Sequence, residues 1–121
     1  MSKFEVLFFE EDNGKVPVEE FLDDLDKKMR AKLVGLIEIL QESGNDLREP
    51  YSKYLGGNIF ELRCKVGSDI SRVLYFFYHG GRIIMTNGFI KKSMKTPRQE
   101  IERAKKYRKI YIKRCKEDEK V

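Results

Sequence analysis

The sequence predicts an α+β domain with the element order β-α-α-β-β-β-α, and three observations support it. Apolar residues recur at helical spacing in two adjoining segments, 17–25 and 29–40. Strand-like runs separated by short turns then follow at 59–66, 71–78 and 82–90. A long basic segment ends the chain. We therefore expect an antiparallel three-strand meander with an added N-terminal strand, a helical hairpin on one face and a C-terminal basic helix.

The first half of the chain carries clear helix signals. Residues 4–10 are rich in aromatic and β-branched side chains, which indicates an N-terminal strand. Pro17 suits the first position of a helix, and Asp26 suits the N-cap of the next one. Gly44 is a typical helix stop. Residues 45–58 contain a proline and two adjacent glycines, so we predict a loop there.

The second half alternates between polar and apolar residues. In 59–66, four apolar residues alternate with Glu61, Arg63 and Lys65, which predicts a half-exposed strand with its polar face in water. The final helix is expected to begin with Thr96 as its N-cap, Pro97 as its first residue and Gln99 completing a capping box.

The composition excludes several classes of protein. The chain has 121 residues, which suits one domain, and we expect it to span 1–116 with a short charged tail at 117–121. No apolar run approaches the ~18 residues of a membrane helix, and the N-terminus does not resemble a signal peptide. Cys64 and Cys115 are far apart in sequence, so we expect reduced thiols in a cytoplasmic protein. With one histidine and no metal-ligand spacing, we expect no metal and no cofactor.

Charge is distributed unevenly along the chain. The net charge is +5. Residues 1–90 hold 12 basic and 15 acidic side chains, whereas residues 91–116 hold 12 basic side chains and two acidic ones. The protein is therefore a mildly acidic body with one strongly basic segment, which favours a polyanionic partner.

The expected topology brings cations from both parts of the chain together. In a meander, the end of the first strand, the start of the second and the end of the third lie at one end of the sheet. The residues placed there are Arg63, Lys65, Arg72, Lys91 and Lys92, with Lys95 close by. The stretch 50–90 contains only two acids, Glu61 and Asp69, so we expect these cations to face solvent without local partners. Such a cluster suits RNA phosphates, and the nearby aromatic residues Tyr75, Tyr78 and Phe89 suit base stacking.

The basic helix is a second candidate surface. Lys105, Lys106 and Lys109 belong to a series of cations that extends along this helix. They can cover a solvated face, dock on RNA, or bind an acidic protein partner. We favour contacts with RNA backbone phosphates.

Three segments carry a family resemblance. They are 49–63, with Phe-Glu-Leu-Arg at its end, 72–77, with Arg-Val-Leu-Tyr-Phe-Phe, and 88–97, with Gly-Phe-Ile-Lys-Lys-Ser-Met-Lys-Thr-Pro. In this order they resemble the HigB-like, phage-derived host-inhibition toxins of the RelE/ParE superfamily, over about 4–111. The resemblance implies a RelE-like fold and a toxin that cleaves messenger RNA in the ribosomal A site. It also implies a helix-turn-helix antitoxin of the XRE type as the partner, besides the ribosome and messenger RNA.

The resemblance also implies roles for individual residues. Arg72 matches the arginine that contacts the scissile phosphate, Arg63 a basic position on the preceding strand, and Lys91 or Lys92 the basic position after the last strand. Asn87 stands where many relatives have histidine, which shifts the expected chemistry towards lysine, arginine and Tyr75. Arg72 suits stabilisation of phosphorane charge, because a guanidinium is a permanent bidentate donor.

Two alternatives remain open at the level of sequence. One is a ParE-like inhibitor of DNA gyrase with the same fold. The other is a relative without catalytic activity that binds RNA or an antitoxin.

Overall fold

The computed structural model describes residues 3–91 and 95–119. In these ranges it confirms the predicted mixed α+β fold, with three helices and a sheet of five strands instead of the expected four. The strands are β1 (Glu5–Phe8), β2 (Ser52–Gly56), β3 (Ile59–Val66), β4 (Asp69–Tyr78) and β5 (Arg82–Lys91). The helices are α1 (Pro17–Asp24), α2 (Lys27–Ser43) and α3 (Arg98–Glu119), with a 3₁₀ turn at Gly44–Asp46. Helix α3 continues through 117–119, which the sequence assigned to a tail.

The sheet has the order β1-β5-β4-β3-β2, in which β1 runs parallel to β5 and the other neighbours are antiparallel. Strands β3, β4 and β5 form the expected meander. The prediction of a loop over 45–58 was wrong for part of that range, because 52–56 forms β2 on the outer side of β3. This strand forms a tight hairpin with β3, and the turn that joins them is Gly57-Asn58, where both residues have positive φ. The glycine-rich sequence that suggested a loop is therefore the turn of this hairpin.

Helices α1 and α2 cover one face of the sheet. The Asp26 carboxylate accepts a hydrogen bond from the Met29 backbone N–H at 2.9 Å and caps α2 as expected. Gly44 ends α2 at a φ of 51°, in the left-handed region that favours glycine. The apolar stripe of this helix packs on the sheet through Met29, Leu33, Leu36, Ile37 and Leu40. Burial of this apolar stripe therefore holds the helical hairpin against the sheet.

Helix α3 covers part of the opposite face. Ala104 and Tyr107 are its buried residues, and they pack with Leu74 and Phe76 of β4 and Ile84 of β5. Both faces of β3 are consequently covered. The expectation of a half-exposed β3 was wrong, since Glu61 is fully buried and Arg63 is only 8% exposed.

Several polar contacts fasten the second half of α3 to the body. Arg82 donates from Nη1 to the Tyr111 hydroxyl at 2.9 Å, and Arg114 donates to the Glu10 carbonyl at 2.6 Å. Helix α3 is the longest of the three described helices. Across 3–91 and 95–119, no helix is long and apolar enough to cross a membrane.

Candidate functional site

The sheet register places two arginines side by side. Arg63 on β3 pairs with Arg72 on β4, and Arg72 pairs in turn with Phe89 on β5. Two rows further along the sheet are Lys65, Ile70 and Lys91. Because side chains alternate between faces, Arg63, Arg72, Lys65 and Lys91 share the face that α3 covers. The structure thus brings these four cations together at one end of the sheet, as the topology predicted.

Glu61 lies within this group of cations. It is two residues before Arg63 on β3 and so shares its face. The Glu61 carboxylate accepts a hydrogen bond from Nε of Arg63, and its Oε2 lies 3.7 Å from Nη1 of Arg72. The expectation that the cations have no local acid partner was wrong, since one carboxylate bridges both arginines.

Thr96 completes the buried network from the segment before α3. Its hydroxyl donates to Oε2 of Glu61, and the hydroxyl oxygen accepts from Nη1 of Arg72 at 3.5 Å. Helix α3 begins at Arg98, and the Pro97 carbonyl accepts from the backbone N–H groups of Glu100 and Ile101. The Thr96 hydroxyl therefore forms tertiary hydrogen bonds with Glu61 and Arg72, in place of the predicted capping box.

The four polar residues are closed off from solvent. Arg72 and Glu61 are fully buried, and Arg63 and Thr96 each keep 8% exposure. Burial lowers the pKa of the Arg72 guanidinium; Glu61 opposes this shift and Arg63 adds to it. An arginine remains charged at neutral pH even so. We name these four residues, Glu61, Arg63, Arg72 and Thr96, the arginine site.

Comparison with known families places this geometry in context. The family model described as "phage derived protein Gp49-like (DUF891)" matches residues 20–109, which extends from α1 into the first half of α3. The chain belongs to the Gp49-like family. This family is associated with toxin–antitoxin systems. No curated protein matches the chain significantly.

The matched segment of this Gp49-like chain contains every residue of the arginine site. It also contains Asn87, which is fully buried on β5. Its Nδ2 donates to Oε1 of Glu100 at 2.9 Å, and its Oδ1 accepts from the Thr86 hydroxyl at 2.6 Å. Asn87 therefore fastens the first turn of α3 to the sheet beside the arginine site.

Tyr75 does not belong to the cluster in this Gp49-like protein. It lies on the opposite face of the sheet, against α2, and is only 1% exposed. Its hydroxyl is hydrogen-bonded to the Ser52 hydroxyl, and burial raises its pKa. The interpretation of Tyr75 as a site residue was wrong because β4 alternation separates position 75 from position 72. Tyr78 also lies away from the site, stacked under Arg82 at the far end of β4.

The remaining predicted cations lie around the arginine site or beyond it. Lys65, Lys91 and Lys95 are exposed, and Lys95 precedes Thr96 directly. Lys92 falls outside the described residues. Lys105, Lys106 and Lys109 lie on the solvent side of α3, about 10–16 Å along the helix from Arg98. The structure therefore separates a buried arginine site from an exposed lysine face.

Metal coordination has no candidate group here. Among the residues that the structure describes, no group of three or more His, Cys, Asp or Glu side chains could hold a metal ion. Cys64 is buried, and burial raises the pKa of its thiol. A neutral buried thiol is a poor ligand and a poor nucleophile.

Sequence reasoning missed the role of Glu61 and the tertiary role of Thr96. The signal for Glu61 was present, because it is one of two acids in 50–90 and lies two residues before Arg63 on the same strand. Alternation along β3 predicted that the Glu61 side chain is exposed, because an alternating strand usually has one face in solvent. Helix α3 and Thr96 cover that face.

Proposed function

We propose that this Gp49-like chain is a HigB-like toxin with a RelE-like fold, the toxin component of a type II toxin–antitoxin system. Its activity is cleavage of messenger RNA in the ribosomal A site. The observation that carries this proposal is the cross-strand pair of Arg63 and Arg72, flanked on the same face by Lys65 and Lys91. Two arginines whose Cβ atoms are about 5 Å apart on neighbouring strands provide donors on one face that suit a phosphodiester.

The proposed reaction needs no cofactor. The RNA 2′-oxygen loses its proton and attacks the adjacent phosphorus, forming a 2′,3′-cyclic phosphate. The bond from phosphorus to the 5′-oxygen breaks, and that oxygen takes up a proton. Arg72 and Arg63 stabilise the negative charge that develops on the phosphorane oxygens. Lys91 and Lys95 lie at the exposed rim of the site, where they are the described candidates for proton transfer.

The buried network supports a functional interpretation over a purely structural one. A buried charged triad costs so much desolvation energy that apolar residues in the same place are often neutral or more stable. Two arginines directly opposite each other on neighbouring strands also repel. Glu61 compensates that repulsion and holds both guanidiniums in a fixed orientation.

The structure is closed over Arg72, so the proposed chemistry includes an opening step. Arg72 has no exposed surface, and Thr96 contacts both Arg72 and Glu61. A phosphate reaches the guanidiniums when the Thr96 side chain moves away. The incoming phosphate then takes the place of the Thr96 hydroxyl beside the Arg72 guanidinium.

The proposed partners follow from the same resemblance and from the charge on α3. An XRE-type helix-turn-helix antitoxin would bind and block this toxin. The exposed lysines Lys105, Lys106 and Lys109 would contact phosphates of ribosomal or messenger RNA.

The decisive experiment is induced expression followed by mapping of RNA 5′ ends. The wild type should stop growth and produce new 5′-hydroxyl ends within translated messages. Arg72→Lys keeps a positive charge but loses the bidentate fork, so it should abolish those ends while the protein stays folded. Arg82→Lys is the matched control, since Arg82 contacts Tyr78 and Tyr111 away from the arginine site. A harmless wild type, or an Arg72→Lys variant that cleaves normally, would contradict the proposal.

One observation favours a second candidate function. Since Glu61 already occupies both arginines and Arg72 is inaccessible, a relative that binds RNA or antitoxin without cleaving fits the closed structure. In that case the induced protein would bind RNA but generate no new 5′ ends. A gyrase inhibitor would instead cause DNA damage with messages intact.

A further inference from the structure

Two tyrosines on the edge of the sheet are unusually exposed. Tyr51 is 53% exposed and Tyr54 is 55% exposed, and both belong to the short segment that forms the outer edge beside β3. Tyr54 lies on the α2 face, where its ring meets Phe60 at a centroid distance of 4.9 Å. Its hydroxyl accepts a hydrogen bond from the Asn58 backbone N–H at 3.1 Å. Tyr54 therefore has a structural role on its own face.

Tyr51 lies beside the arginine site. Ser52 pairs with Leu62, so the preceding residue faces Arg63, and the Arg63 backbone N–H donates to the Tyr51 carbonyl at 2.8 Å. The Ser52 side chain points towards Tyr75 on the α2 face. Alternation consequently assigns Tyr51 to the face of the two guanidiniums.

The backbone around Tyr51 is held firmly. Its N–H donates to the Arg48 carbonyl at 3.0 Å, while its carbonyl is bound by Arg63. One register row thus contains Tyr51, Arg63 and Arg72 in that order. With strands about 4.8 Å apart, Tyr51 and Arg72 are separated by roughly 10 Å across the row.

We propose that Tyr51 is a base-stacking subsite for single-stranded RNA, next to the phosphate position between Arg63 and Arg72. This subsite rests on the proposed function and extends it by naming where the neighbouring nucleobase binds. A phenol ring that is half exposed beside cations suits an unpaired base, because every base has a π-face. Lys53, two residues later and exposed on the same face, is placed to meet the adjoining backbone phosphate.

The subsite is accessible while the arginine site is closed. Tyr51 keeps more than half of its surface in solvent, whereas Arg72 has none. A base can therefore stack on Tyr51 before the Thr96 side chain moves. Binding at Tyr51 is then the first contact, and engagement of the scissile phosphate follows.

The test compares two short oligonucleotides by fluorescence anisotropy at low salt. One is a labelled single-stranded 2′-O-methyl RNA, which cannot be cleaved because its 2′-oxygen is blocked. The other has the same backbone and no bases. Tyr51→Ala should weaken binding of the base-bearing strand by about 5- to 100-fold and leave the abasic strand unchanged. Tyr51→Phe should bind like the wild type, since stacking needs the ring and not the hydroxyl.

Tyr54→Ala provides the matched control: an equally exposed tyrosine three residues away on the opposite face. It should leave both affinities unchanged in samples whose urea unfolding shows a folded protein. If Tyr54→Ala weakens base binding while Tyr51→Ala does not, the subsite is on the wrong face and the proposal fails.

The outcomes also separate this inference from the proposed function. If the wild type binds base-bearing and abasic strands equally, the stacking subsite fails and the phosphate site stands. If Tyr51→Ala weakens both strands equally, stacking fails for the same reason. If the wild type binds neither strand, the stacking subsite fails, whereas the proposed function is decided separately by the mapped 5′ ends after induction.

Discussion

The Thr96 hydroxyl donates a hydrogen bond to Oε2 of Glu61, although the two residues are 35 positions apart in sequence. This bond connects the segment before α3 to the middle of β3, and Arg72 lies directly beside it. It therefore couples the start of α3 to the electrostatics of the arginine site. Substitutions at either residue should reveal both the stability of the closed state and its role in function.

Thr96→Val should destabilise the protein by about 1–3 kcal/mol. Valine has nearly the same shape but cannot donate to Glu61 or accept from Arg72, so both buried groups lose a partner. Urea unfolding followed by circular dichroism measures the loss. Thr96→Ser keeps the hydroxyl and should cost much less; equal losses for both variants would show that the hydroxyl does not contribute.

Glu61→Gln should destabilise the protein by about 3–5 kcal/mol. The substitution leaves Arg63 and Arg72 buried beside each other without a compensating carboxylate. The control is Glu102→Gln, which affects an exposed carboxylate 3.7 Å from Lys105 and should change stability by less than about 0.5 kcal/mol. Similar unfolding midpoints for the two variants would contradict the importance of the buried network.

Elements whose sequence signals are local, or whose topology is fixed by short connections, could be predicted from the sequence. Helix α2 was predictable because Asp26, the apolar spacing and Gly44 all act within one local segment. The convergence of Arg63, Arg72 and Lys91 was also predictable, since short connections leave little choice of topology.

Two of the errors, at Thr96 and at Glu61, have a common physical origin, because each depends on contacts with residues distant in sequence. The Thr96 hydroxyl bonds the buried Glu61 carboxylate, 35 positions away, instead of capping its own helix. The error at β2 is different, because its pairing with β3 is a local hairpin whose Gly57-Asn58 turn the loop prediction did not recognise. Glu61 was assigned to water because the covering of that sheet face by α3 cannot be read from β3 alone. Tyr75 was expected in the site because Asn87 replaces the histidine of many relatives, but strand alternation on β4 puts Tyr75 on the opposite face from Arg72.

Stability should fall at alkaline pH, beginning near pH 9. Burial raises the pKa values of the Cys64 thiol and the Tyr75 phenol above their ordinary values of 9.0 and 10.0. The native state thus holds protons that the unfolded chain releases, so rising pH favours unfolding, first through Cys64 and then through Tyr75. Each group contributes at most about 1.4 kcal/mol per pH unit.

Urea unfolding of the wild type and Cys64→Ala between about pH 8 and pH 10 checks this dependence. Cys64→Ala should be less stable than the wild type at every pH because it loses packing. Its free energy of unfolding should nevertheless decline less steeply over that interval. Two parallel curves would show that Cys64 does not contribute to the alkaline loss.

Replacing Lys105, Lys106 and Lys109 together by glutamine should weaken RNA binding and reduce its salt dependence. If all three contact phosphates of a single strand, the slope of log K against log salt should become shallower by about 2. The measurement is a salt titration with a 2′-O-methyl oligonucleotide. Lys27→Gln combined with Lys28→Gln is the control, since these exposed lysines belong to α2 on the other face. An unchanged slope in the triple variant would exclude the α3 face as an RNA contact.

Gly88→Ala should destabilise the protein by about 1–3 kcal/mol through overpacking. A Cβ at Gly88 would lie 2.4 Å from Cδ2 of Phe21, because α1 rests directly on β5 at this point. Gly35→Ala is the matched control: its Cβ would meet nothing within 4 Å on α2, so it should stabilise by about 0.5–1 kcal/mol. Adding Phe21→Leu to Gly88→Ala should recover part of the lost stability in urea unfolding, since the smaller side chain leaves room for the new methyl group. Failure of that rescue would mean that the loss arises in the β5 backbone and not in its contact with α1.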